Sequence, residues 1–235
     1  MTRGTCLGAL VGALLIGFGS GARGGDVKGK VDFEGTAPKS TRLMMNADPV
    51  CMKAHKDPVY TEDVVVNPNK TLKNVLVYVK DGLGGKKFDG SSAAKLSLEQ
   101  KGCQYFPHVI GIQTGQELDV VNDDPTLHNV HSLSKVNSQF NAAQPKQGMR
   151  LVKKFDKAET FRVKCEVHGW MGAYIGVFEH PFFAVTGEDG SFTIKGLPAG
   201  EYTLEAWHEK YGTQTLKVKV GGSGEAQAKF TYAAK

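Results

Sequence analysis

Cys165, His168 and Met171 stand at intervals of three in the stretch CEVHGWM (165–171). A thiol, an imidazole and a thioether at that spacing suit a soft transition metal. Two imidazoles and a thiolate in a plane, with a weak axial thioether, make the copper sites that pass single electrons. A second imidazole has to come from elsewhere. The run HNVH (128–131) offers His128 and His131. On an extended segment these two face opposite ways, so only one of them can point at the site. His128, directly after the turn NDDPT (122–126), stands at a strand end and suits a loop-end site better. Two other readings stay open. Zinc takes thiolate and imidazole but has little use for a thioether, and Cys165 and Met171 could simply be core residues.

The elements around these residues read as strands. TFRVKC (160–165) ends at the thiol and AYIGVFE (173–179) follows it, so Cys165, His168 and Met171 share one loop at the end of a sheet. Gly169 and Gly172 let that loop turn tightly. Upstream, KLSLE (95–99), HVIGIQ (108–113) and ELDVVN (117–122) alternate with turns, and RLVKKF (150–155) reads as a hairpin partner of TFRVKC. The polar segment 134–149 has no period and reads as surface loop. VKGKVDFEG (27–35) and NVLVYV (74–79) are strand-like. Between them, Asp48 as N-cap and Pro49 as first helical residue predict a short helix to about His55. The glycine-rich run 81–92 reads as a domain junction. After residue 181 strands and tight turns alternate to the end, with Gly187–Gly190 and Leu197–Gly200 as turns. The chain is expected to be all-β, with two sandwiches or barrels.

Residues 1–25 read as a secretory signal peptide: a positive Arg3, an apolar run 7–18 too short to span a bilayer, then small residues before a cleavage near Ala22. Export would leave no stable membrane span and would place the protein in the periplasm or outside the cell. This segment holds Arg3 and Arg23 and no acid, so its removal lowers the formal net charge by two, from +5 to +3. That mild charge gives no reason to expect nucleic acid as a partner. Of the four cysteines, Cys51, Cys103 and Cys165 remain after cleavage. An odd cysteine in an oxidising compartment needs an explanation. If Cys165 is a metal ligand, Cys51 and Cys103 are left to form a disulfide.

NDDPTLHNVHS followed by a strand-terminal CEVHGWM resembles the cupredoxins, and among them the amicyanin type. The resemblance covers about residues 93–180. It implies a Greek-key β-sandwich or barrel holding one mononuclear type 1 (blue) copper. His128, Cys165, His168 and Met171 would be its ligands, with Asn129 tying the two ligand loops together. Gly169 departs from the pattern, which has proline there. The tail, with Asp189–Phe192 and Leu197–Tyr202, resembles the carboxypeptidase regulatory-like module, a prealbumin-like β-sandwich. The tail lacks the module's first strands, which Gly29–Val31 and NVLVYV could supply. A discontinuous sandwich from 26–92 and 181–235 is therefore expected, with the 93–180 domain inserted and a Cys51–Cys103 disulfide joining the two. Bacterial methylamine-utilisation-like proteins have a similar layout.

The resemblance implies a one-electron carrier with a transient redox partner, a cytochrome or a dehydrogenase-like protein. The ring edge of His168, beside Trp170, would be the exposed electron port. Trp170 itself either joins that surface or packs beneath the loop. The alternatives are a copper carrier or storage protein, and a β-sandwich interaction protein with a structural metal. An enzyme is not expected, since no Ser-His-Asp set, paired carboxylates or open-site metal motif is visible. His108, in a predicted strand after Pro107, reads as structural or surface rather than as a further ligand, and His131 as facing away.

Overall fold

A computed structural model describes Met1 and residues 24–234, so the expected signal peptide over 1–25 lies almost wholly outside the described residues. Among the described residues there are sixteen strands and one short helix, and no helix is long and apolar enough to cross a membrane. The first third of the chain gives β1 (Gly25–Glu34), α1 (Pro49–Ala54) and β2 (Leu76–Asp81). The middle gives β3 (Leu96–Lys101), β4 (Gln104–Phe106), β5 (Val109–Gln113), β6 (Leu118–Asn122), β7 (His128–Ser132), β8 (Asn141–Gln144), β9 (Arg150–Lys153), β10 (Glu159–Lys164) and β11 (Gly172–Phe178). The last part gives β12 (Phe183–Val185), β13 (Ser191–Leu197), β14 (Gly200–His208), β15 (Gly212–Val220) and β16 (Glu225–Ala233).

Four sheets pair into two sandwiches. In the first, β1 lies between β13, antiparallel to it, and β16, parallel to it. The facing sheet runs β12-β2-β14-β15. Strands from both ends of the described chain thus enclose one core, which includes Val27, Val31, Phe33, Ile194, Leu204 and Phe230. Alternation explains the choice of faces: Val27, Val31 and Phe33 are buried on β1 while Lys28 and Glu34 face out. The second sandwich sets β5-β11-β10-β7-β8 against β4-β3-β6-β9. Leu98, Ile112, Val120, Val163 and Ile175 fill the space between them.

The sandwiches touch through a third, smaller cluster around Leu76, Val109 and Phe178. Here Gly111 on β5 pairs with Gly176 on β11. A Cβ on Gly111 would stand 2.5 Å from Phe183 Cδ2, and one on Gly176 would stand 2.3 Å from Leu76 Cδ2. The two glycines therefore form a flat place on the second sandwich against which side chains of the first press.

Three expectations change. RLVKKF and TFRVKC do not form a hairpin: β9 pairs with β6, and β10 with β11 and β7, in opposite sheets. The chain crosses the sandwich between them, and Phe155 and Phe161 meet in the core with ring centroids 5.3 Å apart. Within 134–149, taken as loop, Asn141–Gln144 is an edge strand on β7. Cys51, placed with the first sandwich from the sequence, packs instead in the core of the second, beside Leu98, Cys103 and Tyr105. The helix itself forms as the sequence indicates, with Asp48 accepting the Val50 N–H at 2.7 Å and Pro49 opening the first turn. The Cys51–Cys103 disulfide holds it there. His55 Nε2, just past the helix, adds a 2.6 Å bond to Gly102 O.

Candidate metal centre

His128 opens β7, directly after the Asp123–Thr126 turn. Cys165 follows the last residue of β10, and His168 to Met171 form the loop into β11. Two backbone bonds close that loop: Cys165 N–H to Met171 O at 3.2 Å and Met171 N–H to His168 O at 2.9 Å. Asn129 links it to β7, its Oδ1 accepting the Glu166 N–H at 2.5 Å. The result brings one donor atom each from His128, Cys165 and His168 within 4.8 Å of one another. All are shut away from water: His128 is 0 % exposed, Cys165 2 %, His168 3 % and the nearby Met171 1 %. Cys165 is the free cysteine of the described residues.

Both imidazoles turn Nδ1 inward, and the two Nδ1 atoms lie 3.0 Å apart. Both outer nitrogens meet a carboxylate. His128 Nε2 lies 2.9 Å from Asp124 Oδ2, and His168 Nε2 lies 3.1 Å from Asp48 Oδ2. Each carboxylate is itself held. Asp124 accepts the Gly102 and Cys103 N–H groups at 2.8 and 2.7 Å. Asp48 caps α1 and accepts the Thr126 hydroxyl at 2.8 Å. The disulfide stands close by, with Cys51 Sγ 3.6 Å from His168 Nε2.

Charge follows from these contacts. Burial alone would lower the His128 pKa, but hydrogen bonds to Asp124 and Cys165 outweigh it and raise the value to about 9. Burial would raise the Cys165 thiol, yet the His128 bond and the N–H groups of Asn129, His168 and Val167 pull it below its ordinary value. Burial, together with the neighbouring His128 charge, keeps His168 below the usual histidine range against the pull of Asp48. Without a metal, these contacts favour a proton on His128 and ionisation of Cys165. With Asp48 facing Nε2, a neutral His168 would carry its proton there and leave Nδ1 to accept from His128. A thiolate and two inward imidazole nitrogens, with a buried thioether next to them in the chain, are a donor set that fits copper.

The remaining residues singled out from the sequence fall elsewhere. His131 faces away, its Nδ1 2.5 Å from Glu166 Oε1. His108 pairs with Glu209 at the junction of the sandwiches and packs edge-on to Tyr174. The ring edge of His168, expected at the surface, is covered because α1 is docked over it through Asp48 and Cys51. Trp170 packs against His168 with centroids 5.0 Å apart and donates its indole N–H to Cys103 O at 2.9 Å. Half-buried, it lines a cleft with Tyr60, Arg162, Tyr174 and Lys210. Asp48, Asp124 and Tyr105, whose hydroxyl donates to Asn129 O at 2.6 Å, are site residues that sequence reasoning missed. A signal existed only for Asp48, recognised as a helix cap, and it pointed to a different job.

A family model for the carboxypeptidase regulatory-like domain matches residues 171–233. The match begins at Met171 rather than at 181 and so takes in β11, which pairs with β10 and β5 of the second sandwich. Among solved structures, the chain is similar to a copper-containing nitrite reductase from Thermus scotoductus, with 22% identity, TM-score 0.33, and coverage of 42% of this chain and 25% of that one. The chain thus spans about a quarter of that reductase's length. It is also similar to a purple cupredoxin from Nitrosopumilus maritimus, with 22% identity, TM-score 0.31, and coverage of 36% of this chain and 98% of that one. For a mutant amicyanin in its Cu(I) form the values are 17% identity, TM-score 0.32, and coverage of 43% and 97%. No curated protein matches the chain.

Proposed function

We propose that this is an exported type 1 copper protein that passes single electrons between redox partners. One observation carries the reading: His128, Cys165 and His168 converge, buried, with donor atoms within 4.8 Å, beside a buried Met171. Bound copper supplies a one-electron couple. The protein supplies the rest. The Cys165 thiolate is held by His128 and by the backbone N–H groups around it. His128 and His168 would hold the copper through Nδ1, with Met171 as a candidate thioether ligand. The His128 proton has to leave when the site is loaded, because a ligand must offer a lone pair. A cage already closed on every side needs little rearrangement between oxidation states.

With the His168 edge covered by α1, the port to a partner shifts to Trp170, which touches His168 and lines a cleft. The partner would be a transient redox protein, a cytochrome or a dehydrogenase-like protein. The first sandwich, built from β1, β2 and β12–β16, would act as spacer or docking surface, a role taken by analogy with such modules, and the protein would not itself be an enzyme. A copper carrier or storage protein is the second reading, but the burial of all three donors speaks against ready exchange.

An optical spectrum of the mature protein loaded with Cu(II) tests this. The expected result is an intense visible band that bleaches reversibly on reduction and is absent from Cys165→Ser. A colourless protein that gives up its copper to a weak chelator would overturn it.

A further inference from the structure

We propose that Asp48 is a positioning residue for the metal centre: from the cap of α1 it fixes His168 with Nδ1 turned to Cys165 and seals that imidazole from water. The inference rests on the copper reading and deepens it. Asp48 uses its two oxygens for two tasks. Oδ1 accepts the Val50 N–H at 2.7 Å and so starts the helix. Oδ2 stands 3.1 Å from His168 Nε2 and accepts the Thr126 hydroxyl at 2.8 Å. Asp48 is thus braced from both sides, by its own helix and by the turn that precedes His128.

An imidazole on a loop can rotate away from a site or turn its other nitrogen inward. A carboxylate on the outer nitrogen stops both, fixes which nitrogen carries the proton, and raises the donor strength of the inner one. Asp124 performs that task for His128 from the same turn. The difference is origin. Asp124 is local to β7, while Asp48 belongs to α1, 120 residues from His168, and α1 is anchored to the second sandwich by the Cys51–Cys103 disulfide. α1 is therefore the cover of the centre, and Asp48 is where it grips. A carboxylate there also favours the more highly charged Cu(II) over Cu(I), so the reduction potential is held down.

Two variants separate the helix cap from the contact with His168. Asp48→Ser keeps a good N-cap but is too short to cap Val50 and reach His168 together. Asp48→Asn keeps the cap through its one oxygen, loses the charge, and turns an NH2 group, which only donates, toward His168 Nε2. In the metal-free wild type, ¹⁵N NMR of the ring should show His168 neutral with its proton on Nε2. In Asp48→Ser that single form should be lost. Cu(II) should bind about 10- to 100-fold more weakly, a chelator should extract copper faster, and the potential should rise. Asp48→Asn should also raise the potential and disfavour the Nε2–H form, since two donors would then face each other, with the helix cap intact. If Asp48→Ser folds with wild-type ring shifts, extraction rate and potential, Asp48 is a helix cap only and the proposal fails. If Asp48→Ser does not fold, Asp48→Asn decides it, and an unchanged potential there overturns it. A wild type that never turns blue would instead sink the copper reading, and the ring shifts of the metal-free protein would still report whether Asp48 holds His168.

Discussion

The two sandwiches bury different things. The core of the first is apolar, and its buried polar side chains, such as Thr71, Thr186, Glu205 and His208, are separate from one another in the chain and each finds nearby partners. The second has an apolar middle and a polar end. There Gln100, Gln144, Asn122, Asp124, His128, His168 and Asp48 form one hydrogen-bonded chain. An apolar core loses stability by degrees when atoms are removed, whereas a buried polar network depends on every member being satisfied. The first sandwich can therefore be altered at a cost in stability alone. Changes at the polar end of the second should alter geometry and charge together, and with them the proposed metal binding.

The sharpest way to break the contrast is Cys165→Ser. The visible copper band should vanish completely while the circular dichroism of the strands stays, because a hydroxyl fills the same space without a thiolate. Next comes the disulfide. Replacing Cys51 and Cys103 by alanine opens a loop with a sequence separation of 52, a loss of about 4 kcal/mol from chain entropy. Denaturant curves should show the loss, and copper should be released earlier in the transition than the first sandwich unfolds.

The first sandwich carries its own titration. Burial lowers His208 from the ordinary 6.5 to about 4, and its Nδ1 accepts the Lys210 N–H at 3.1 Å. The unfolded chain therefore takes up this proton more readily than the folded one. Stability is fully present above pH 6.5 and falls as the pH drops toward 4, by about 3 kcal/mol. His208→Gln should flatten the curve of stability against pH in that window, read by denaturant unfolding at a series of pH values. The smallest effect is expected where the sandwiches meet. Gly176→Ala places a methyl group against Leu76, and such overpacking costs about 1–3 kcal/mol. Thermal melting should register it with the copper band unchanged. A changed band would mean that the junction and the centre are coupled.

Much of the candidate centre was legible because one loop of seven residues carries Cys165, His168 and Met171, and HNVH is short enough to expose its alternatives. The all-β class, the α1 cap and the Cys51–Cys103 pair were legible for similar local or arithmetical reasons. What failed was whatever depended on distant segments meeting. Nothing near His168 announces that α1 lies over it, so its ring edge was expected in solvent. Nothing in RLVKKF says that the chain will cross to the opposite sheet at Phe155. The edge strand β8 has a single neighbour and a small-residue sequence, NAAQ, so it left no period to read.

The position of β1 between β13 and β16 has a consequence for how the chain is made. During synthesis β1 emerges early, and its two hydrogen-bonding neighbours are among the last strands to appear. The strands of the second sandwich are all complete before then. α1 has emerged by then as well, so nothing of the candidate centre waits for the tail. The middle of the chain can therefore settle first while β1 stays unpaired, and the non-local pairing of β1 with β16 is the slow, late event. A nascent chain arrested before β13 should already resist proteolysis in its middle and remain sensitive at β1.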